Sequence, residues 1–108
     1  MAVNKELMKG STSTLVLTLL ARKQMYGYEI IKELEVLSKG LFEMREGTLY
    51  PILHTLEEAG CVESKWVGEE GARQRRYYLI TKSGKAYLKE KKEEWVNFRS
   101  AVDSIVLG

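Results

Sequence analysis

The chain has 108 residues, 44% of them hydrophobic and 30% charged, with one proline, one cysteine, one histidine and a net charge of +2. That length supports one domain with a modest core and is too short for two, and the balanced composition excludes a low-complexity or disordered tail. A lone cysteine excludes an intramolecular disulfide and a cysteine-rich zinc site, and no apolar run approaches the ~20 residues of a membrane span.

The first apolar run, after residue 14, is closed by Arg22 and Lys23 with no small-residue cleavage site behind them. A signal peptide is therefore not expected, and the compartment expected is the cytoplasm. Within that run Leu15, Leu19 and Ala21, with Val16 and Leu20, predict a strongly apolar helix near residues 12–23. Ser11 and Thr12 are available to cap it. A short helical lead-in is expected over residues 5–9, broken by Gly10. Tyr26 and Gly27 open a second helix, YEIIKELEVLSKG, in which Ile30, Ile31, Leu34 and Leu37 keep helical spacing and which Gly40 is placed to end. LFEM (41–44) is too short for more than a loop or an edge strand.

TLYPILHTLEEAG, residues 48–60, carries the only proline and the only histidine. With Thr48 as N-cap, Pro51 falls in the first turn, where amides lack partners and proline's missing donor costs little. At about 100° per residue, Leu49, Ile52, Leu53 and Leu56 share an arc of roughly 100° that suits a core. Pro51, His54 and Glu58 lie opposite, flanked by Tyr50 and Thr55. The acids Glu57 and Glu58 stand at the far end, which leaves the helix start to the positive pole of the helix dipole. Thr48, Tyr50, Pro51 and His54 are thus candidates to enter a major groove from the second helix of a helix-turn-helix. His54 has no second His and no clustered Cys or Asp beside it, so it is no metal ligand. It is either a nucleic-acid contact or a plain surface residue.

After Gly60 the period changes. CVESKWV (61–67) alternates as a strand does, GEEGARQ (68–74) is a polar loop, and RRYYLI (75–80) is a second strand, so the pair forms a hairpin. One ring of Tyr77 and Tyr78 is expected to be buried. Formal charge is +3 over residues 1–28, −6 over 29–70, +7 over 71–92 and −2 over 93–108. The +7 segment starts at the hairpin tip, with Arg73, Arg75 and Arg76 within four positions, and continues into the closing helix. Such arginines suit phosphate or minor-groove contact. The alternative is an arginine-rich loop paired with Glu69 and Glu70.

Thr81 caps a closing helix that runs to about Leu107. Leu88, Trp95 and Val102 are seven apart, as are Phe98 and Ile105, a seam like that of a coiled coil which Lys91 interrupts. Such a helix is about 37 Å long at 1.5 Å per residue, against a radius of gyration near 13 Å for a 100-residue globule. Its outer half should project, and a second copy is expected to cover the stripe in a twofold dimer. The other reading is that the helix folds back as core. Dimerisation would set two recognition helices roughly 34–36 Å apart, one turn of DNA, and implies a palindromic operator.

The order of elements gives a mainly α fold with a small β-hairpin: a winged helix-turn-helix over residues 1–80 with a long C-terminal dimerisation helix over 81–108. The stretch EGTLYPILHTLEEAGCVESKW…RQRRYYLITKSGKAYL, with YGYEI on the second helix, resembles the PadR family of bacterial transcriptional regulators. The likeness covers most of the chain, and the single closing helix is similar to the family's small subgroup. The resemblance implies a homodimeric winged helix that binds double-stranded DNA and typically represses transcription. It implies Thr48, Tyr50, Pro51 and His54 on the recognition helix and Arg73, Arg75 and Arg76 on the wing. In some small members an aromatic effector sits between subunits beside a tryptophan of the closing helix. Trp95 is similar in position, and plain dimer packing is its other reading. No cofactor and no membrane partner is expected.

Two other functions compete. Catalysis lacks a basis: His54 and Cys61 lie on different elements, with no G-x-S-x-G, no phosphate-cradling glycine loop and no metal spacing. A winged helix that binds protein instead of DNA would suit the acidic middle of the chain, but the basic wing argues against it.

Overall fold

The computed structural model describes residues 10–108, in the order α1 (Thr12–Arg22), β1 (Met25–Tyr26), α2 (Gly27–Leu37), α3 (Glu46–Glu58), β2 (Val62–Val67), β3 (Arg75–Ile80) and α4 (Lys82–Val106). The lead-in expected over residues 5–9 lies outside the described residues. α2 and α3 form the helix-turn-helix, β2 and β3 the wing, and α4 the long closing helix. The core gathers around α1, where Val16, Leu17, Leu19 and Leu20 are all buried, and receives Ile30 and Leu34 from α2 and Leu49, Leu53 and Leu56 from α3. Leu17 rather than Ala21 completes the buried face of α1, and Ala21 is exposed. The loop over residues 41–44 is anchored by a buried Met44.

Three local details differ from the sequence reading. First, β1 adds a third strand, antiparallel to β3, with Met25 opposite Tyr78 and Tyr26 opposite Tyr77, so the sheet order is β1-β3-β2. Two residues are too few to show a period; their partner defines them as a strand. Second, α2 ends on Lys39 as well as Gly40. Lys39 takes the left-handed conformation at φ 55°, its amide bonding Val36 O, while the amide of Gly40 reaches back to Glu35 O at 2.8 Å. These two bonds form a Schellman stop with a lysine where glycine is usual. Third, Thr48 is not the N-cap of α3. The cap is Arg45, in extended backbone with no capping side chain, and its carbonyl accepts from the amides of Thr48 and Leu49 at 3.0 Å each.

That earlier start moves Pro51 into the second turn of α3. Proline there leaves the carbonyl of Gly47, four residues back, without its intrahelical donor. Gly47 is exposed, so water can meet that carbonyl. It also places Glu46 in the first turn, a carboxylate favoured there by the helix dipole.

The wing pairs in simple register from Val62 opposite Ile80 to Val67 opposite Arg75. At its base the chain is bolted to α4. The Thr81 hydroxyl donates to Gly60 O at 2.6 Å and accepts from the amide of Gly84 at 3.0 Å, while the Thr81 amide donates to Cys61 O at 3.0 Å. Thr81 is thus the N-cap expected of it. Gly84 is required by this approach: a Cβ there would press into the Cys61 carbonyl, 2.9 Å from its carbon, and stand 2.8 Å from Ile80 Cγ1. One turn on, Leu88 is buried in the core. The heptad spacing assigns Leu88 to the dimer seam; covered by its own chain, it is a core residue instead. Past Leu88, α4 leaves the body, and the molecule measures 59 × 32 × 20 Å.

Two glycine substitutions should therefore move stability in opposite directions. Gly84→Ala forces a backbone shift and should destabilise the fold by about 2–3 kcal/mol. Gly47→Ala, inside α3 with nothing within 4 Å of the added carbon, should stabilise it by about 0.5 kcal/mol. Urea midpoints of the two variants check both signs.

Candidate nucleic-acid interface

α3 presents the face expected of it. Leu49, Leu53 and Leu56 are buried and Ile52 is half-buried, while Thr48, Tyr50, Pro51 and His54 are all exposed. At about 100° per residue, Glu46 falls on the flank shared with Glu57, away from the line through Pro51 and His54. His54 Nε2 lies 2.9 Å from Glu58 Oε1, one turn on, and both side chains are largely solvated. Among the described residues no three His, Cys, Asp or Glu side chains gather as metal ligands.

Tyr50 does more than sit on the outer surface. Its ring lies over Gly27, the first residue of α2, where a Cβ would stand 2.9 Å from Tyr50 Cζ. The absent side chain of Gly27 lets the phenol lock the start of α2 against α3, so the YG of YGYEI and the Tyr of GTLYP are two halves of one contact. The Glu29 side chain closes the same end of α2 by accepting from the Tyr26 amide at 3.3 Å.

The three wing arginines divide. Arg73 lies in the exposed loop between the strands. Arg75 sits on the outer sheet face, its guanidinium 4.5 Å from the centre of the Tyr26 ring, which meets Tyr77 edge-on at 5.4 Å. Arg76 projects to the other face, toward α3. Its Nε donates to Ser64 Oγ at 2.9 Å and its Nη2 to Glu57 Oε1 at 3.1 Å, while Ser64 Oγ donates to Glu57 Oε2 at 2.6 Å. Among the described residues no ion pair joins these arginines to Glu69 or Glu70; the acid that answers is Glu57. Of the two tyrosines of β3, Tyr78 is the buried one. Burial pushes its phenol above the ordinary value, against the pull of the Arg76 guanidinium over its ring.

Glu57, Ser64, Tyr26 and Tyr77 are not among the site residues expected from the sequence. Ser64 has a signal, since strand alternation puts it on the face of Trp66 and Arg76 once the register is known. Glu57 has none, being 19 positions from Arg76.

On the projecting part of α4, Trp95 is 50% exposed, Phe98 64%, Val102 37% and Ile105 83%, and the Trp95 and Phe98 rings lie 6.5 Å apart. The stripe thus begins at Trp95. A shallow depression beside Leu88 is lined by Lys85, Lys89, Lys92 and Glu93, and Trp95 is not part of it.

Residues 16–90 match the model of the family described as "Transcriptional regulator PadR-like family". An uncharacterized protein of Lysinibacillus sphaericus is 32% identical over 106 residues, covering 98% of this chain and 97% of that protein. The transcriptional regulator YqjI of Escherichia coli is 31% identical over 85 residues, which is 79% of this chain and 39% of that longer protein. Among solved structures, a transcriptional regulator from Clostridium thermocellum superposes with a TM-score of 0.88 at 35% identity, over 96% of this chain and 98% of that one. A PadR family transcriptional regulator from Eggerthella lenta superposes with a TM-score of 0.82 at 32% identity, over 94% and 86%.

The Gly27–Tyr50 contact is testable by a double-mutant cycle. Gly27→Ala should cost about 1–3 kcal/mol by expelling the phenol. In a Tyr50→Ala background the same change should cost markedly less, since the obstructing ring is gone. Equal costs in both backgrounds would show that the two residues do not interact.

Proposed function

The chain belongs to the PadR-like family of transcriptional regulators, a family of regulators and not of enzymes, and from that premise we propose that it binds operator DNA as a homodimer. Thr48, Tyr50, Pro51 and His54 would enter the major groove, with Arg73 and Arg75 reaching the flanking backbone or minor groove from the wing. The observation that carries this reading is the outward face of α3. It is exposed, holds hydroxyls, a proline ring and an imidazole through its first three turns, and stands beside a wing with two arginines free of acidic partners among the described residues.

The dimer reading is supported by α4. A stripe of Trp95, Phe98, Val102 and Ile105 on a helix beyond the body is apolar surface that water penalises, at about 25 cal/mol per Å². A second copy of the same stripe covers it through a twofold axis. Two α3 helices would then read half-sites of a palindrome about one DNA turn apart. Repression, and response to an aromatic effector held near Trp95, are part of the proposal, supported by the resemblance to small PadR members. With no candidate membrane span among the described residues, the site of action proposed is the cytoplasm.

Selection of bound sites from random DNA tests the reading directly, and a palindrome with one-turn spacing is the expected outcome. Arg73→Ala with Arg75→Ala should weaken binding to all sequences alike. It should also flatten the log–log salt dependence by about 0.9 for each phosphate no longer neutralised. A protein-binding winged helix centred on apolar anchors would show almost no salt response. Trp95→Ala should shift sedimentation equilibrium toward monomer by about tenfold or more. A dimer of unchanged affinity, with unchanged fluorescence response to aromatic ligands, would remove both roles from Trp95.

A further inference from the structure

We propose that Arg76 is a strut and not a phosphate ligand, and that Glu57 and Ser64 are positioning residues that set the angle between wing and recognition helix. The inference rests on the DNA-binding reading above and assigns a specificity role to an acid within it.

The outer wing has little to hold it. Of β2, only Val62 is buried and Ser64 is half-buried; Lys65, Trp66 and Val67 are exposed, as are Arg75 and Arg76 opposite them. Beyond Ser64 the hairpin therefore has no core to fix its direction. Apart from the stacking of Arg75 on Tyr26, what remains is the Arg76–Glu57–Ser64 triangle, which joins both wing strands to the last turn of α3 at 2.6 to 3.1 Å. Each member has its partner: the carboxylate receives Arg76 Nη2 on Oε1 at 3.1 Å and, more weakly, on Oε2 at 3.4 Å, where Ser64 also donates. The fork of arginine is needed, because Nε and Nη2 point at two different acceptors, and a lysine ammonium could not hold both in that geometry.

Glu57 lies at the C-terminal end of α3, next to Glu58, in a turn with no basic residue of its own. A carboxylate there opposes the helix dipole. Arg76 supplies the compensating charge from the neighbouring element, while Arg75, one residue earlier on the opposite sheet face, has no acidic partner among the described residues and stacks on Tyr26. Alternation along one strand thus separates a tether from a DNA-facing side chain.

Electrostatics and positioning predict opposite signs for one substitution. If Glu57 acted only as a negative charge near DNA, Glu57→Gln would strengthen binding to every sequence. If it positions the wing, Glu57→Gln should weaken binding to the selected operator about fivefold, the equivalent of roughly 1 kcal/mol. It should leave binding to unrelated DNA unchanged or stronger and leave the salt slope at the wild-type value, because every phosphate keeps its cation. Arg76→Lys, which keeps the charge and removes the fork, should reproduce that pattern. The exchange Glu57→Arg with Arg76→Glu should restore the ratio of operator to unrelated-DNA affinity. Gel-shift titrations of wild type and the three variants at several salt concentrations read all of this, with thermal melts as the check on folding. Operator affinity equal to or above wild type in Glu57→Gln, or operator affinity kept in Arg76→Lys as a phosphate-bound cation would keep it, would overturn the strut and leave the DNA reading standing. A wild-type protein that selects no DNA would overturn both.

Discussion

A threonine hydroxyl bonded on two sides holds the molecule's three functional parts in one frame. Thr81 ties the turn after α3, the base of the wing and the start of α4 together through Gly60, Cys61 and Gly84. Its oxygen is satisfied as donor and acceptor at once, which makes it hard to replace by a residue of similar size. Gly84 is the steric counterpart of that chemistry, since the helix can approach the Cys61 carbonyl only where no side chain intervenes. Everything proposed for DNA depends on this junction, because it fixes where α4 points relative to the face of α3.

Net charge says little about a small regulator. A formal charge of +2 conceals a +7 segment that begins in the wing loop and continues into α4, set against −6 in the preceding part of the chain. The fold brings part of that acid back onto the base, through Glu57 and Arg76. Charge segregation along a sequence therefore overstates the charge available at the surface, and the surplus lies in Arg73 and Arg75 of the wing and in lysines of α4. The stacking of Arg75 on Tyr26 orders its side chain while leaving its N–H donors uncommitted to any carboxylate.

Much of this was legible in the sequence, and the omissions have physical causes. The faces of α3, the two wing strands and the Thr81 cap followed from local periodicity and local capping chemistry, which the folded chain keeps. The start of α3 did not, because Arg45 caps with backbone alone while Gly47 and Thr48 imitate a break and a cap. β1 exists only through its pairing with β3. Leu88 lies seven residues before Trp95 on one helical face, but α4 divides that face between two surroundings, its own core first and open surface after. Tyr50 and Gly27, and Glu57 and Arg76, are pairs whose members sit more than 15 residues apart in the chain, so neither residue of a pair announces its partner.

The rigid seat of α4 also makes it a lever. With its first turns held through Thr81 and Leu88 and about 27 Å of uninterrupted helix beyond, a tilt of about 5° at the clamp sweeps the tip through roughly 2 Å. In the proposed dimer, a displacement of that size where two tips meet would return to the other end as a rotation of α3 by the same angle. A small slip between the paired helices would then become a change in the angle at which α3 meets a duplex.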